Sequence, residues 1–430
     1  MSDAARLPPL TDLSRVETRT LHLTWIAFLV CFLAWFAHAP LMAASIAPSL
    51  GLSREQQLLA FTASVGVTIL ARIAVGRACD RFGPRKSYVG LLLFGAGAGA
   101  AAARADDWPT YLASRLARGV VGASFVITAV HTSAMVPRHA VGLATATTAG
   151  WGNLGGGVAQ LVMPLAAGGM VALGTTSDPL ERWRPAMLLP AGLMLLVAFL
   201  YARFTADRPP DAPAPSKAGS TERFGTVVRD ARVWALFVAY AACFGIELFV
   251  NARIGSYFQA RMGASETVAG ALAALFGLMN LFARSLGGWL SDRVARRHGV
   301  AARGRWLALA LLGEGVALML FSRLGSLGLA ASVLVVFSIF VQMAEGATFA
   351  LVPFVRRNAL GTVSGIVGSG GNVAAVVLAQ VLIVSGAALE DCLLVFGGLV
   401  VTTAVMLSRQ RFDEPERRFT STAGDLAAPS

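Results

Sequence analysis

Apolar runs long enough to cross a lipid bilayer recur along this sequence from near its start to near its end. A spanning helix needs about 20 mostly apolar residues. Twelve such runs can be drawn, over 22–49, 57–76, 87–104, 110–136, 141–170, 183–203, 232–258, 267–290, 305–323, 328–353, 361–386 and 390–408. Of 430 residues, 56% are hydrophobic and 14% charged, where a soluble domain carries about 25% charge. Such a chain takes lipid as its solvent. The predicted fold class is an all-α membrane protein with twelve transmembrane helices. Residues 1–21 are polar, and the first run, about 26 residues, exceeds the ~7–15-residue core of a signal peptide, so it is expected to be a retained helix.

The longest polar connection, 204–231, contains PPDAPAP and is predicted to be a disordered linker. It divides the chain into an N-terminal tail (1–21), a first six-helix bundle (22–203), the linker, a second bundle (232–408) and a C-terminal tail (409–430). Of the 36 Lys and Arg residues, 25 fall in the two tails and the even-numbered loops. Six fall in the odd-numbered loops and five, Arg72, Arg115, Arg118, Arg253 and Arg284, inside helices. The positive-inside rule then puts both termini and the linker in the cytoplasm, and the expected location is the inner membrane. The same distribution explains the net charge of +12 without nucleic acid as a partner.

The two bundles repeat each other. Arg72, Gly76, Asp80 and Arg81 recur as Arg284, Gly288, Asp292 and Arg293; Phe28 and Phe32 recur as Tyr240 and Phe244. Val136-Pro137 answers to Val352-Pro353, and Gly152-Asn153 to Gly371-Asn372. Two parallel six-helix repeats place a substrate site near the midplane between the halves. Arg72 and Arg284 each lie about five residues, or ~8 Å, from a helix end. An unpaired guanidinium at the bilayer centre costs at least about 2.5 kcal/mol, and no Asp or Glu of the same helix stands ready to pair with either. Two such cations point to an anionic substrate. The planar fork of Arg suits a flat oxyanion, which it binds bidentately.

The loop Gly76-Arg-Ala-Cys-Asp80-Arg81-Phe-Gly83-Pro-Arg85-Lys86 resembles the G-x3-D-R-x-G-x-R-K loop of the major facilitator superfamily. There Asp80 is expected to accept from helix N-termini or arginines of the facing half, as a latch on the cytoplasmic side. The runs GWGNLGGGVAQLVMPL, ELFVNARIGSYF, GLMNLFARSLGGWLSD and ATFALVPFVRRNALGTVSGIVGSGGN resemble the nitrate/nitrite porter family of that superfamily. The last three are nearer to its plant, algal and cyanobacterial branch. The resemblance covers nearly the whole chain and implies the major facilitator fold. It also implies roles: Arg72 and Arg284 clamp the anion, Asn153 lies near it, and Phe125 packs on the site. Tyr240 and Phe244 sandwich the anion, Gly371 contacts it, and Asn372 is a further polar contact. Gly76, Asp80, Arg81, Gly83 and Arg85 gate the cytoplasmic side. Arg253 departs from the uncharged residue expected in relatives and is expected to snorkel.

Three carboxylates lie inside predicted helices: Glu247, Glu314 and Glu345. Proton coupling needs a buried carboxyl whose pKa is raised, so Glu247 and Glu345 are the coupling candidates. Glu314 is set aside, because the superfamily places its ninth helix on the periphery. A structural partner for Glu247 would be Asn251 one turn away or an arginine of a neighbouring helix. Cys31, Cys79, Cys243 and Cys392 lack paired spacing and imply neither disulfide nor metal. No His pair at i, i+4, no CxxC and no Ser-His-Asp set on one helix face suggests an enzyme, and no cofactor is expected. The expected function is alternating-access transport of nitrate, and of nitrite with it, by a monomer. Proton-coupled uptake is the leading mode; nitrate/nitrite exchange or transport of another small anion are the alternatives.

Overall fold

A computed structural model describes residues 11–176, 178–210 and 222–412. The expectations for 1–10, 211–221 and 413–430, which belong to the two tails and the linker, lie outside these residues. Among the described residues, eleven helices are long and apolar enough to cross a membrane, one fewer than drawn from the sequence. The odd one out is the third, a 19-residue helix over Pro84–Ala102. At 1.5 Å per residue it is about 28 Å long, but it opens on Arg85-Lys86 and runs out in Gly and Ala, which lowers its hydropathy. In chain order the helices are α1 (Val16–Leu50), α2 (Arg54–Phe82), α3 (Pro84–Ala102), α4 (Trp108–Met135), α5 (Arg138–Ala172) and α6 (Trp183–Phe204). The second set is α7 (Ala231–Asn251), α8 (Thr267–His298), α9 (Ala301–Ser322), α10 (Leu327–Val355), α11 (Arg357–Ser385) and α12 (Leu389–Arg409).

Two boundaries differ from the sequence expectation. The first helix begins at Val16, inside the polar tail, where the Arg19 guanidinium donates to the Leu13 and Ser14 carbonyls at 2.8 and 2.6 Å. The end of the linker is also structured. A short helix over Phe224–Val228 is followed by Asp230, which caps α7 by accepting from Arg232 N at 3.0 Å. Arg356 ion-pairs with both Glu222 (2.6 Å) and Asp230 (2.9 Å). Burial raises the Asp230 pKa, but the bonds from Arg232 and Arg356 outweigh it and hold the carboxyl at about 2.

Large apolar side chains such as Leu165 and Val384, 76% and 83% exposed, cover the outside, as a lipid-facing surface requires. The halves meet most extensively along α2 with α11 and α5 with α8, with further contact of α5 on α10 and α4 on α11, and glycine makes the first two possible. A Cβ on Gly76 would fall on the Gly361 carbonyl, and one on Gly288 on the Gly142 carbonyl. These backbone contacts sit at the end that carries the Asp80 loop. Toward the opposite end the halves part: every residue of α11 from 361 to 372 is buried, but from 373 to 385 only Leu378 is. The matching stretch of α5, Gly155–Ala172, packs on α1 and the start of α6, within its own half. The molecule is thus closed at the Asp80 end and splayed at the other.

Candidate functional site

The closed end is held by two related latches. Asp80, at the end of α2, accepts from the first turn of α11: Gly361 N at 2.7 Å, Thr362 N at 2.7 Å and Thr362 Oγ1 at 2.6 Å. Asp292, its repeat partner in α8, accepts from Gly142 N at 3.1 Å and Leu143 N at 2.8 Å at the start of α5. It is also paired with Arg303 at 2.7 Å. In each latch a carboxylate meets the unpaired N–H groups and positive dipole end of a helix in the other half. The rest of the loop serves its own half. Gly83 turns at φ 85°, against the Asp207 carboxylate. That carboxylate accepts from Arg85 N at 2.9 Å, and the Arg85 side chain donates to the Ala202 carbonyl. Arg81 lies over the Phe82 ring on the exposed surface.

Deeper between the halves, Arg72 of α2 and Arg284 of α8 are buried, 0% and 2% exposed. Both guanidiniums lie over the Phe125 ring, at 5.3 and 5.4 Å from its centroid, and Arg72 also lies 5.5 Å from that of Phe244. Phe125, Tyr240 and Phe244 form a stack: Phe125 to Tyr240 is 5.7 Å with 8° between planes, Tyr240 to Phe244 is 5.1 Å with 15°. The last two, an i, i+4 pair, share one face of α7, which widens into a π turn over Ala241–Gly245, a distortion common at functional sites. Gly371 supports the stack, since any side chain there would strike the Phe244 ring.

The two arginines differ in their partners. Arg284 forms an ion pair with Glu345 of α10 at 2.5 Å and donates to the Tyr240 hydroxyl at 3.1 Å. Arg72 donates to the Gly368 carbonyl of α11, and its Nε and Nη2 have no partner. The expectation of two unmatched cations is therefore corrected for Arg284. Its acid comes from another helix, which a search along α8 alone does not reach. Asn372 is fully buried with both amide atoms unpartnered. Asn153 is half-buried at the end of the first segment of α5.

Glu247 is buried, and its Oε1 accepts from Asn280 Nδ2 at 2.6 Å and Gln342 Nε2 at 2.9 Å. Asn251 is exposed and is not its partner. Sequence reasoning also missed Phe349, one turn past Glu345, whose ring meets Phe125 and Tyr240 edge-on at 4.5 and 4.9 Å. His131 bonds Tyr201 and the Ala206 carbonyl at 2.5 and 2.7 Å, a structural role. The Arg253 guanidinium, 4.5 Å from the Phe249 ring centroid, lies far along α7 from the stack.

Two membrane-embedded halves, latched at one end and splayed at the other around a buried cationic site, define a carrier of the alternating-access class. The model of the Major Facilitator Superfamily matches residues 24–379. The chain belongs to that superfamily and, within it, to the nitrate/nitrite porter family. High affinity nitrate transporter 2.5 of Arabidopsis thaliana is 38% identical over 387 residues, covering 88% of this chain and 76% of its own. The nitrate/nitrite transporter NrtP of Nostoc punctiforme is 26% identical over 438 residues, covering 84% of this chain and 85% of its own. Among solved structures, the E. coli fucose:proton symporter superposes with a TM-score of 0.67 at 15% identity, over 92% of this chain and 100% of that one. That likeness concerns the fold. The family is one of transporters, not of enzymes.

Proposed function

We propose that this protein is a secondary transporter that carries nitrate, and nitrite with it, across the inner membrane by alternating access. The chain works as a monomer with both termini in the cytoplasm. The observation that carries the reading is the charge imbalance at the site: two buried guanidiniums and one ion-paired carboxylate. Arg72 is left with a positive charge, free donors and no acid partner among the described residues. One flat monovalent anion between the arginines, against the aromatic stack, satisfies both charge and donors. The relatives' names supply nitrate as that anion. Asp80 and Asp292 act as cytoplasmic latches, with Gly76, Gly83, Arg81 and Arg85 shaping the first of them.

Coupling follows from the Arg284–Glu345 pair. An anion that takes Arg284 must displace Glu345, and a proton on Glu345 removes that competition. Anion and proton then strengthen each other's binding, a reciprocity that linkage requires. Uptake against a negative interior, about 2.3 kcal/mol per charge per 100 mV, needs such a driving ion or an outgoing anion. Labelled nitrate uptake into proteoliposomes, with a pH gradient or with internal nitrite, tests the reading. Wild-type protein should respond to the gradient, and Glu345→Gln should lose that response while retaining exchange. Uptake that ignores pH and runs only against nitrite would replace symport by exchange.

A further inference from the structure

We propose that Glu314 of α9 is a second proton-binding site, linked through Glu247 to the Glu345–Arg284 pair. The inference rests on the proton-coupled reading above and adds a site to it. Glu314 is 0% exposed, and neither of its oxygens has a hydrogen-bond partner. Among the described residues it has no ion-pair partner, and its neighbours in sequence pack on apolar or small groups: Gly313 faces Phe340 of α10, and Gly315 faces Gly397 and Val401 of α12. An ionised carboxylate in such a place is unsupported, whereas a neutral acid needs no counter-ion.

The charged and titratable groups around it form a series. Glu247 of α7 interacts electrostatically with Glu314, and Glu345 of α10 with both. Cys243 of α7 lies within the field of Glu314, Glu345 and Arg284. On Glu247 both amide donors converge on Oε1, and Oε2 is unpartnered. That is the pattern of an acid whose carbonyl oxygen accepts and whose hydroxyl is free to pass a proton on. Among the described residues no three acidic, His or Cys side chains lie close enough to hold a metal ion. The three carboxyls form one electrostatically linked group, of which Glu345 touches the anion site through Arg284. Arg284 balances Glu345, and among the described residues neither Glu247 nor Glu314 has an ion-pair partner. Although a peripheral ninth helix is what the family resemblance implies, α9 buries this side chain fully.

Two protons and one nitrate move one net positive charge, and one proton and one nitrate move none. The test measures transport current per labelled nitrate in proteoliposomes on a solid-supported membrane. Wild-type protein should move one charge per nitrate. Glu314→Gln should move none, keep pH-driven uptake and nitrate KM, and stop responding to voltage; Glu314→Asp should restore the current. An undiminished current in Glu314→Gln overturns the proposal while leaving Glu345 coupling intact. Wild-type uptake that ignores pH overturns both. If Glu314→Gln does not fold, the reversal potential of wild-type current against a set pH gradient gives the proton number. A value of two supports the second site, and a value of one refutes it.

Discussion

Replacing Asp80 by Asn removes charge and leaves shape, so its effect can be worked out from the latch. The carboxylate accepts three hydrogen bonds, two from backbone N–H groups and one from Thr362 Oγ1. Bonds to a charged acceptor contribute about 1.5–3 kcal/mol each and neutral ones about 0.5–1.5 kcal/mol. An asparagine oxygen turned to Thr362 keeps two bonds in weakened form, and its NH2 then faces the Gly361 N–H and loses the third. With the half-buried position discounted, the closed state should lose about 2–3 kcal/mol, a roughly 30- to 150-fold shift toward opening at this end. Spin labels on α2 and α11 at the latch, read by double electron–electron resonance, would report the shift as a longer-distance population. The anion site is a separate cluster, so transport should slow more than nitrate binding weakens. An unchanged distance distribution together with an equal loss of binding and flux would refute the latch.

Arg72→Lys should weaken nitrate binding by about 2 kcal/mol, roughly 30-fold, because a point charge replaces the planar fork; calorimetry on purified protein measures it. Gly76→Val places a side chain on the Gly361 carbonyl, so labels at this end should show the closed state depleted in a protein that still inserts. Asp230 has a depressed pKa of about 2. Its contribution is present above the ordinary value near 4 and lost as pH falls toward about 2. The protection of residues 224–230 against hydrogen exchange, corrected for the intrinsic rate at each pH, should therefore fall across that window, and less so in Asp230→Asn, which is already weakened at neutral pH.

Much of the fold was legible because a bilayer allows few solutions: run length, Lys/Arg placement and the repeat carry the architecture. The third span, drawn from the sequence but short of the hydropathy of the other eleven, opens on Arg85-Lys86 and ends in Gly and Ala, which gain burial by close packing rather than by apolar mass. Arg72, Arg284, Phe125, Tyr240 and Phe244 come together as one cluster. The repeat and the family resemblance had singled them out. What escaped were pairings between helices. Glu345 was visible as a buried acid, but its contact with Arg284 depends on how α10 packs on α8. That Glu314 is fully buried was likewise not legible, because the inward or outward aim of one side chain depends on how its helix is rotated in the bundle.

The latches also govern which sequence changes the molecule tolerates. Asp80 and Asp292 grip main-chain N–H groups, which every residue except proline possesses. Apart from Thr362, whose Oγ1 also donates to Asp80, the gripped helix ends offer no side chain whose replacement releases the latch, and the burden falls on the two acids and on the glycines that let the helices touch. The two grips share no residue. A loss at one is offset most directly by a gain at the other, so compensating changes should arise at the other latch, whose residues come from both halves of the chain.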